Sequence, residues 1–280
     1  MCIRDSPTTV RATHTVATGL YKRGHVSDLA LPYTGQVARI ELGLEPPDEA
    51  VCPARLIRPQ SPPVRPAWLH KGSAGTVLVI GGSSTMAGAP ALVGLGALRA
   101  GAGLVAIAVP RAIRDCVASM LPEAIVVPLD DLDGDLGSEV ASWWSRADAV
   151  VLGPGTVTGS GWDHLWPRLV MKQGPPRVVD GGAIASYQDS RAGTVWTPHP
   201  GEAARVLGCA VEHVQRDRFA VLGLLEAELG GTVVLKGAHT LIGTSGRAMG
   251  VNAIGSPALA TAGSGDVLAG MIAAELATGQ

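Results

Sequence analysis

The pattern of apolar and polar positions changes texture twice along this chain. From about Val10 to Leu44, short polar-apolar alternations, THTVATG and then GQVARIELG, predict strands near the edge of a sheet. Between Pro46 and Pro66, prolines at 46, 47, 53, 59, 62, 63 and 66 reach a density that neither a helix nor a central strand tolerates, so this stretch reads as a linker or a wrapping arm. After Lys71 continuous apolar runs take over. TVLVIGG predicts a buried strand and its turn, the Ala/Gly/Leu-rich run through Arg99 a helix, and LVAIAVP a second strand. Further strands follow at Ala149 to Leu152, ending in GPGT, and at Arg177 to Val179, ending in DGGA. Two more lie at Thr194 to Trp196, ending in TPHPGE, and at Thr232 to Leu235, ending in KGAHT, with a helix predicted over Glu212 to Leu229 between them. A last helix is predicted over Val267 to Leu276. Each strand runs into a polar, Gly/Pro-rich turn, and a doubly wound parallel sheet gathers such turns at its carboxyl edge, where ligands bind.

Composition narrows the class. The 280 residues are 46% hydrophobic, and 37 glycines against one Phe favour an α/β protein with many tight turns. A net charge of −2 and the lack of a basic stripe argue against nucleic acid and membrane surfaces as partners. Cys2, Cys52, Cys116 and Cys209 have neither CxxC nor metal-ligand spacing, which suits a reducing cytoplasm. The opening MCIRDSPTTV has no signal-peptide core. The apolar stretch Ala89 to Val109 is broken by Arg99 and four glycines, and reads as a buried helix followed by a buried strand rather than a membrane span.

The densest chemistry lies in ATAGSGDVLA, Ala260 to Ala269. Gly263, Ser264 and Gly265 let backbone N–H groups converge at a helix start, an anion nest suited to a phosphoryl group, and Asp266 stands where a carboxylate can take a hydroxyl proton. The competing reading is a tight turn capped by Asp266. IGGSSTMAGAP is a βα turn without a Walker lysine, in which Ala89 leaves room for a flat ligand. VLGPGT offers Gly155 in a rigid turn, and VVDGGA ends on Asp180, which could orient a ligand, bind a cation through water or, the reading slightly favoured, cap the next segment. In TPHPGE two prolines hold His199 in extended backbone and Glu202 opens a helix, so the imidazole is presented to a substrate. Lys236 ends a strand where a cation can meet nucleotide phosphates, and Gly237 allows the backbone to bend.

In this order, HKGSAGTVLVIGGS, MAGAPALVGLGALRAGAGLV, LGPGT, VVDGGA, TPHPGEAARVLG, VVLKGAHT and NAIGSPALATAGSGDVLAGM resemble the NAD(P)H-hydrate dehydratase family of the ribokinase-like superfamily. The resemblance implies a doubly wound, mostly parallel sheet flanked by helices. It also implies a lyase that uses ADP, or ATP, with Mg2+ to restore the S form of hydrated NADH or NADPH. Carried over, Ala89, Gly155, His199 and Asp266 contact the hydrated dinucleotide, Lys236, Gly237, Ala238, His239, Thr240 and Gly265 contact the adenine nucleotide, and Asp266 is catalytic. Members often form homotetramers.

The N-terminal stretch ATHTVATGLYKRGHVSDLALPYTGQVARIELGLEPP is similar to the closing strands of an NAD(P)H-hydrate epimerase domain. Residues 1–45 are therefore expected to be a strand-rich remnant of that domain without epimerase activity, 46–66 a linker, and 67–280 a dehydratase domain that the family continues past Gln280. Two other outcomes stay open. One is a ribokinase-like kinase of the hydroxymethylpyrimidine or thiazole type, against which TPHPGE speaks; the other is an inactive nucleotide-binding fragment.

Overall fold

In the computed structural model, which describes residues 10–43, 52–59, 61, 64–130, 132, 136–157, 161–186 and 193–279, the continuous apolar runs form the centre of one sheet. Two short strands come first, β1 (His14–Thr18) and β2 (Gln36–Ile40), with helix α1 (Leu31–Thr34) between them. β3 (Ala54–Leu56) precedes β4 (Thr76–Ile80), and α2 (Gly88–Ala100) leads to β5 (Leu104–Pro110). Next come α3 (Arg114–Met120), β6 (Ile125–Leu129), α4 (Gly137–Arg146), β7 (Ala149–Leu152), α5 (Trp162–Met171), β8 (Arg177–Val179) and β9 (Thr194–Trp196). The chain continues through α6 (Pro200–Val206), α7 (Val211–Arg216), α8 (Arg218–Leu229), β10 (Thr232–Leu235), β11 (Thr240–Thr244), β12 (Met249–Asn252) and α9 (Ser264–Thr278). The main sheet has the order β3-β12-β11-β10-β9-β8-β7-β4-β5-β6. It is parallel except where β11 pairs antiparallel with both β10 and β12.

Alternation along the buried strands builds both layers. β4 sends Leu78 and Ile80 into a core with Trp144, Trp166, Leu165, Ala203 and Leu225 from α4, α5, α6 and α8, while Val77 and Val79 face a second core with α2, α3 and α9. Ala89 to Val109 becomes α2 and β5, as expected of a buried helix and strand. Among the described residues, no helix is long and apolar enough to cross a membrane.

Four local readings change. β1 and β2 pair only with each other, in parallel, rather than joining an edge of the main sheet; a two-stranded ribbon has no interior strand, so both keep exposed residues. The proline-rich segment supplies a strand, because β3 fits its three residues between prolines at the outer edge beside β12, where no second ladder is needed. Residues 46–51, 60, 62 and 63 of that segment, like 44, 45 and the opening residues 1–9, lie outside the described residues. The helix predicted over Glu212 to Leu229 breaks at Asp217, whose backbone leaves the helical region and whose carboxylate caps α8. β6, the antiparallel β11–β12 hairpin and the helices α3, α4 and α5 were not anticipated at all.

Close packing of α2 on α9 positions the helix that bears Asp266. A β-carbon at Gly270 would press into the carbonyl oxygen of Val93, and one at Gly96 into that of Val267. These glycines therefore let the two backbones touch, as small residues do at tight helix crossings. Replacing Gly270 by Ala gains about 1 kcal/mol of helix propensity but meets backbone that cannot move aside, so the overpacking penalty of about 1–3 kcal/mol wins. Gly270→Ala should lower the denaturant midpoint, whereas Gly223→Ala in α8, where only Met249 Cε comes within 3.9 Å, should raise it.

Candidate active site

The turns after β4, β7, β8, β9 and β10 come together at the carboxyl edge, and each is held by its neighbour. The first glycine turn is fastened by Gly82 N–H donating to Pro154 O at 2.8 Å and by Trp162 Nε1 donating to Gly82 O at 3.1 Å. Trp162 is itself stacked on Trp166 with centroids 4.6 Å apart. Gly155 has a left-handed φ of 67°, and a β-carbon there would meet Met86 O at 2.6 Å and Ala89 Cβ at 2.8 Å. Ala89 and Gly155, separate motifs in the sequence, thus form one wall.

A charged cluster forms the opposite part of the site. Asp180, just past β8, is buried; its Oδ1 accepts from Thr197 Oγ1 at 2.7 Å and from Lys236 Nζ at 2.8 Å. Its Oδ1 is therefore held by the turns after β9 and β10, one and two strands away in the sheet. Lys236 also lies 3.8 Å from Glu202 Oε2. Its ammonium is not free in solvent but bridges two buried carboxylates, which is what makes its own burial tolerable.

His199 is the N-cap of α6. Its Nδ1 accepts from Gly201 N–H at 3.0 Å and Glu202 N–H at 3.2 Å, while Glu202 Oε2 accepts from His199 N–H at 2.8 Å, a reciprocal capping box with Pro200 in the first turn. With Nδ1 occupied as an acceptor, the neutral ring carries its proton on Nε2, which lies 3.5 Å from Glu202 Oε1. The side chain is 54% exposed, so the imidazole is presented as the two prolines suggested. Burial and then Lys236 push its pKa below the ordinary value.

Asp266 is the third residue of α9, whose N-cap is Gly263 at φ 87°. The carboxylate is thus not the cap. Ser264 N–H turns back to Thr261 O at 3.4 Å, which leaves the N–H groups of Gly265 and Asp266 without a partner among the described residues. The place a β-carbon at Gly265 would occupy is 3.3 Å from Lys236 Nζ, so nest, ammonium and carboxylate share one corner. Burial, reinforced by Asp180, raises the Asp266 pKa to about 6. Burial raises that of Glu202 to about 7 against the opposing pull of Lys236.

The KGAHT loop divides its residues between two environments. Lys236 points to the charged corner, but His239 is buried, with Nδ1 3.0 Å from Val26 O, and Thr240 Oγ1 donates to Gly237 O at 3.2 Å. Gly237 has no left-handed φ; a β-carbon there would collide with the Arg218 guanidinium, so space rather than bending requires glycine. A β-carbon at Gly255 would strike Ala238 O, so the two loops lie backbone to backbone there.

A family model described as NAD(P)H-hydrate dehydratase matches residues 77–280, which span every one of these turns. The chain belongs to the NAD(P)H-hydrate dehydratase family. It is 37% identical over 96% of its length to the bifunctional NAD(P)H-hydrate repair enzyme Nnr of Gloeobacter violaceus, covering 56% of that protein. To the enzyme of the same name from Escherichia coli it is 35% identical over 95% of its length, covering 52%. The chain thus spans about half the length of the curated relatives it matches. Among solved structures, the ADP/ATP-dependent NAD(P)H-hydrate dehydratase of Bacillus subtilis, co-crystallized with ATP/Mg2+, is similar with a TM-score of 0.68 and 32% identity, covering 77% of each chain. A ribokinase-like superfamily protein of Enterococcus faecalis has a TM-score of 0.70 at 26% identity and 80% coverage of each. A mostly parallel, helix-flanked, ribokinase-like sheet is therefore the fold of this dehydratase-family chain.

Sequence reasoning underrated two of the family chain's residues here and missed two. Asp180 read only slightly more as a cap than as a ligand or cation group and Glu202 as a helix opener, and Thr197 and Arg218 drew no notice. A polar residue directly past a buried strand was the available signal for Asp180 and Thr197; nothing local marks Arg218.

Glu202 also sets a pH dependence of stability. Because its folded pKa is raised, the folded state holds a proton that the unfolded state releases, so this stabilisation is full below the ordinary carboxylate value and is lost as pH rises through about 7. Asp266 acts in the same sense over a lower window. Glu202→Gln, which can still accept from His199 N–H, should flatten the fall in denaturant midpoint between about pH 5 and pH 8.

Proposed function

We propose that this chain dehydrates the S form of hydrated NADH and NADPH, using ADP or ATP as phosphoryl donor. The observation that carries the reading is the corner where the open N–H groups of Gly265 and Asp266 meet Lys236 Nζ and a carboxylate of raised pKa. The nest and the ammonium would receive the transferring phosphoryl group, and Asp266 would take the proton of the substrate's C6 hydroxyl. The C6 oxygen then bonds to the terminal phosphorus as the nucleotide leaves, turning ADP into AMP. The lone pair of the ring nitrogen expels phosphate from C6, and loss of the C5 proton restores the C5–C6 double bond of NAD(P)H.

Ala89 and Gly155 would wall the flat ring, and His199 would donate from Nε2 to a substrate acceptor. Lys236, Gly237, Ala238 and Thr240 with Gly265 would meet the nucleotide, whereas His239, its ring engaged with Val26 and its N–H and carbonyl with Asp28 and Arg218, would hold the loop that carries them. Among the described residues no three His, Cys, Asp or Glu side chains form a metal cage, and Asp180 is already held by Lys236 and Thr197. These residues fit a Mg2+ that arrives on the nucleotide phosphates and neutralises charge there. Residues 10–43 would belong to the preceding module of the bifunctional relatives. The free thiols of Cys52, Cys116 and Cys209 suit a cytoplasmic setting, and sedimentation would test the tetramer that the family resemblance implies.

The test is regeneration of NADH absorbance when the chain is incubated with hydrated NADH, ADP and Mg2+. Turnover is expected, with kcat/KM falling as pH drops below about 6 as Asp266 takes up a proton. Asp266→Asn should lower kcat by roughly a thousandfold. Phosphorylation of a vitamin-precursor alcohol in place of NADH recovery would overturn the reading in favour of a kinase.

A further inference from the structure

The loop that follows β10 is held in place from outside the segment that the family model matches. Arg218, the first residue of α8, has a side chain only 5% exposed. Its Nη1 donates to His239 O at 2.9 Å and to Asp28 Oδ2 at 2.5 Å, and its Nη2 donates to Leu235 O at 2.9 Å and Lys236 O at 3.1 Å. The other oxygen of Asp28 accepts from His239 N–H at 3.0 Å. Two side chains thus secure three carbonyls and one amide of residues 235–239, and Gly237 leaves the space the guanidinium fills.

The segment carrying Asp28 is docked independently of this ion pair. Arg23 lies over the Phe219 ring at 5.2 Å, Val26 packs on the main core, and Val26 O pairs with His239 Nδ1. A buried guanidinium without a carboxylate is strongly disfavoured, and planar fork geometry lets one Arg collect several carbonyls only while its charge is balanced. Asp28 supplies that balance from 190 residues away in sequence.

We propose that Asp28, acting through Arg218, is a positioning residue for the nucleotide, so that the N-terminal segment completes the nucleotide loop of the dehydratase. The proposal rests on the reading of 236–240 as nucleotide-binding. In that reading Lys236 Nζ and the N–H groups of Gly237 and Ala238 meet the phosphates, while the carbonyls of Leu235, Lys236 and His239 and the N–H of His239 are tied back by the Asp28–Arg218 pair. The N-terminal module therefore tunes nucleotide affinity without touching the nucleotide.

The experiment uses the whole chain with Asp28→Ala, Asp28→Asn and Arg218→Lys. Calorimetry with ADP and Mg2+, steady-state kinetics and backbone hydrogen exchange are read on each. Expected are an ADP Kd raised about tenfold, most of the kinetic loss in KM for ADP rather than in KM for hydrated NADH, and faster exchange confined to the peptide spanning 236–240. Asp28→Asn, which keeps volume and one acceptor, should fall between the unaltered chain and Asp28→Ala. A lowered melting temperature with ADP affinity and loop exchange within about twofold of the unaltered chain would reduce the pair to a structural contact and overturn the proposal. If the unaltered chain itself binds no ADP, the nucleotide reading fails first and takes this proposal with it.

Discussion

Charge balance at the carboxyl edge is the constraint around which the rest is arranged. Three carboxylates, Asp180, Glu202 and Asp266, share one corner with a single ammonium, Lys236, and a histidine whose geometry keeps it neutral. Asp180 and Glu202 are buried and Asp266 is half-buried, and that burial outweighs the pull of Lys236, so the pKa values of Glu202 and Asp266 are raised. Asp180 has two direct donors and Asp266 has none among the described residues, so the first anchors Lys236 while the second is held by no side chain. An anionic phosphate brought to the nest meets the same ammonium and the unfilled amides of α9, the part of the site where negative charge is best received.

Holding this cluster together falls to packing that lies beneath it. Asp180, Thr197 and Lys236 follow three neighbouring parallel strands, β8, β9 and β10, so their relative positions are fixed by ladder register. Asp266 comes from a helix rather than a strand, and its approach depends on the backbone contact of α9 with α2 through Gly96 and Gly270. Ala89 lies in the first turn of the same α2, so one helix pair carries both the wall formed with Gly155 and the Asp266 carboxylate. Rigid strands set the electrostatics, and a glycine-thinned helix crossing sets the reach.

Continuous apolar runs made the central strands readable to within a residue, because β4, β5, β7 and β10 are buried on both faces and are apolar along nearly their whole length. The glycine turns and TPHPGE were legible for a similar reason: close backbone approach admits few other residues. Strand β6 was missed although it is equally apolar, since Pro128 interrupts it and it lies at the sheet edge. β11 and β12 were missed because their exposed neighbours mask the alternation, and the break between α7 and α8 because a single Asp cap is locally indistinguishable from a helical surface residue.

What the sequence by itself determined was the α/β architecture, the order of its ligand-facing turns, and the presence at those turns of His199, Lys236 and Asp266, since local sterics and periodicity dictate all three. Only the tertiary structure decided which charges meet. Lys236 could have stood free at a strand end, and Asp180 could have capped its own segment; their union, and the hold of Asp28 and Arg218 on the loop beyond, come from contacts between residues 56 and 190 positions apart. Electrostatic pairing depends on distance in space and on burial, and neither is encoded in any local stretch of chain.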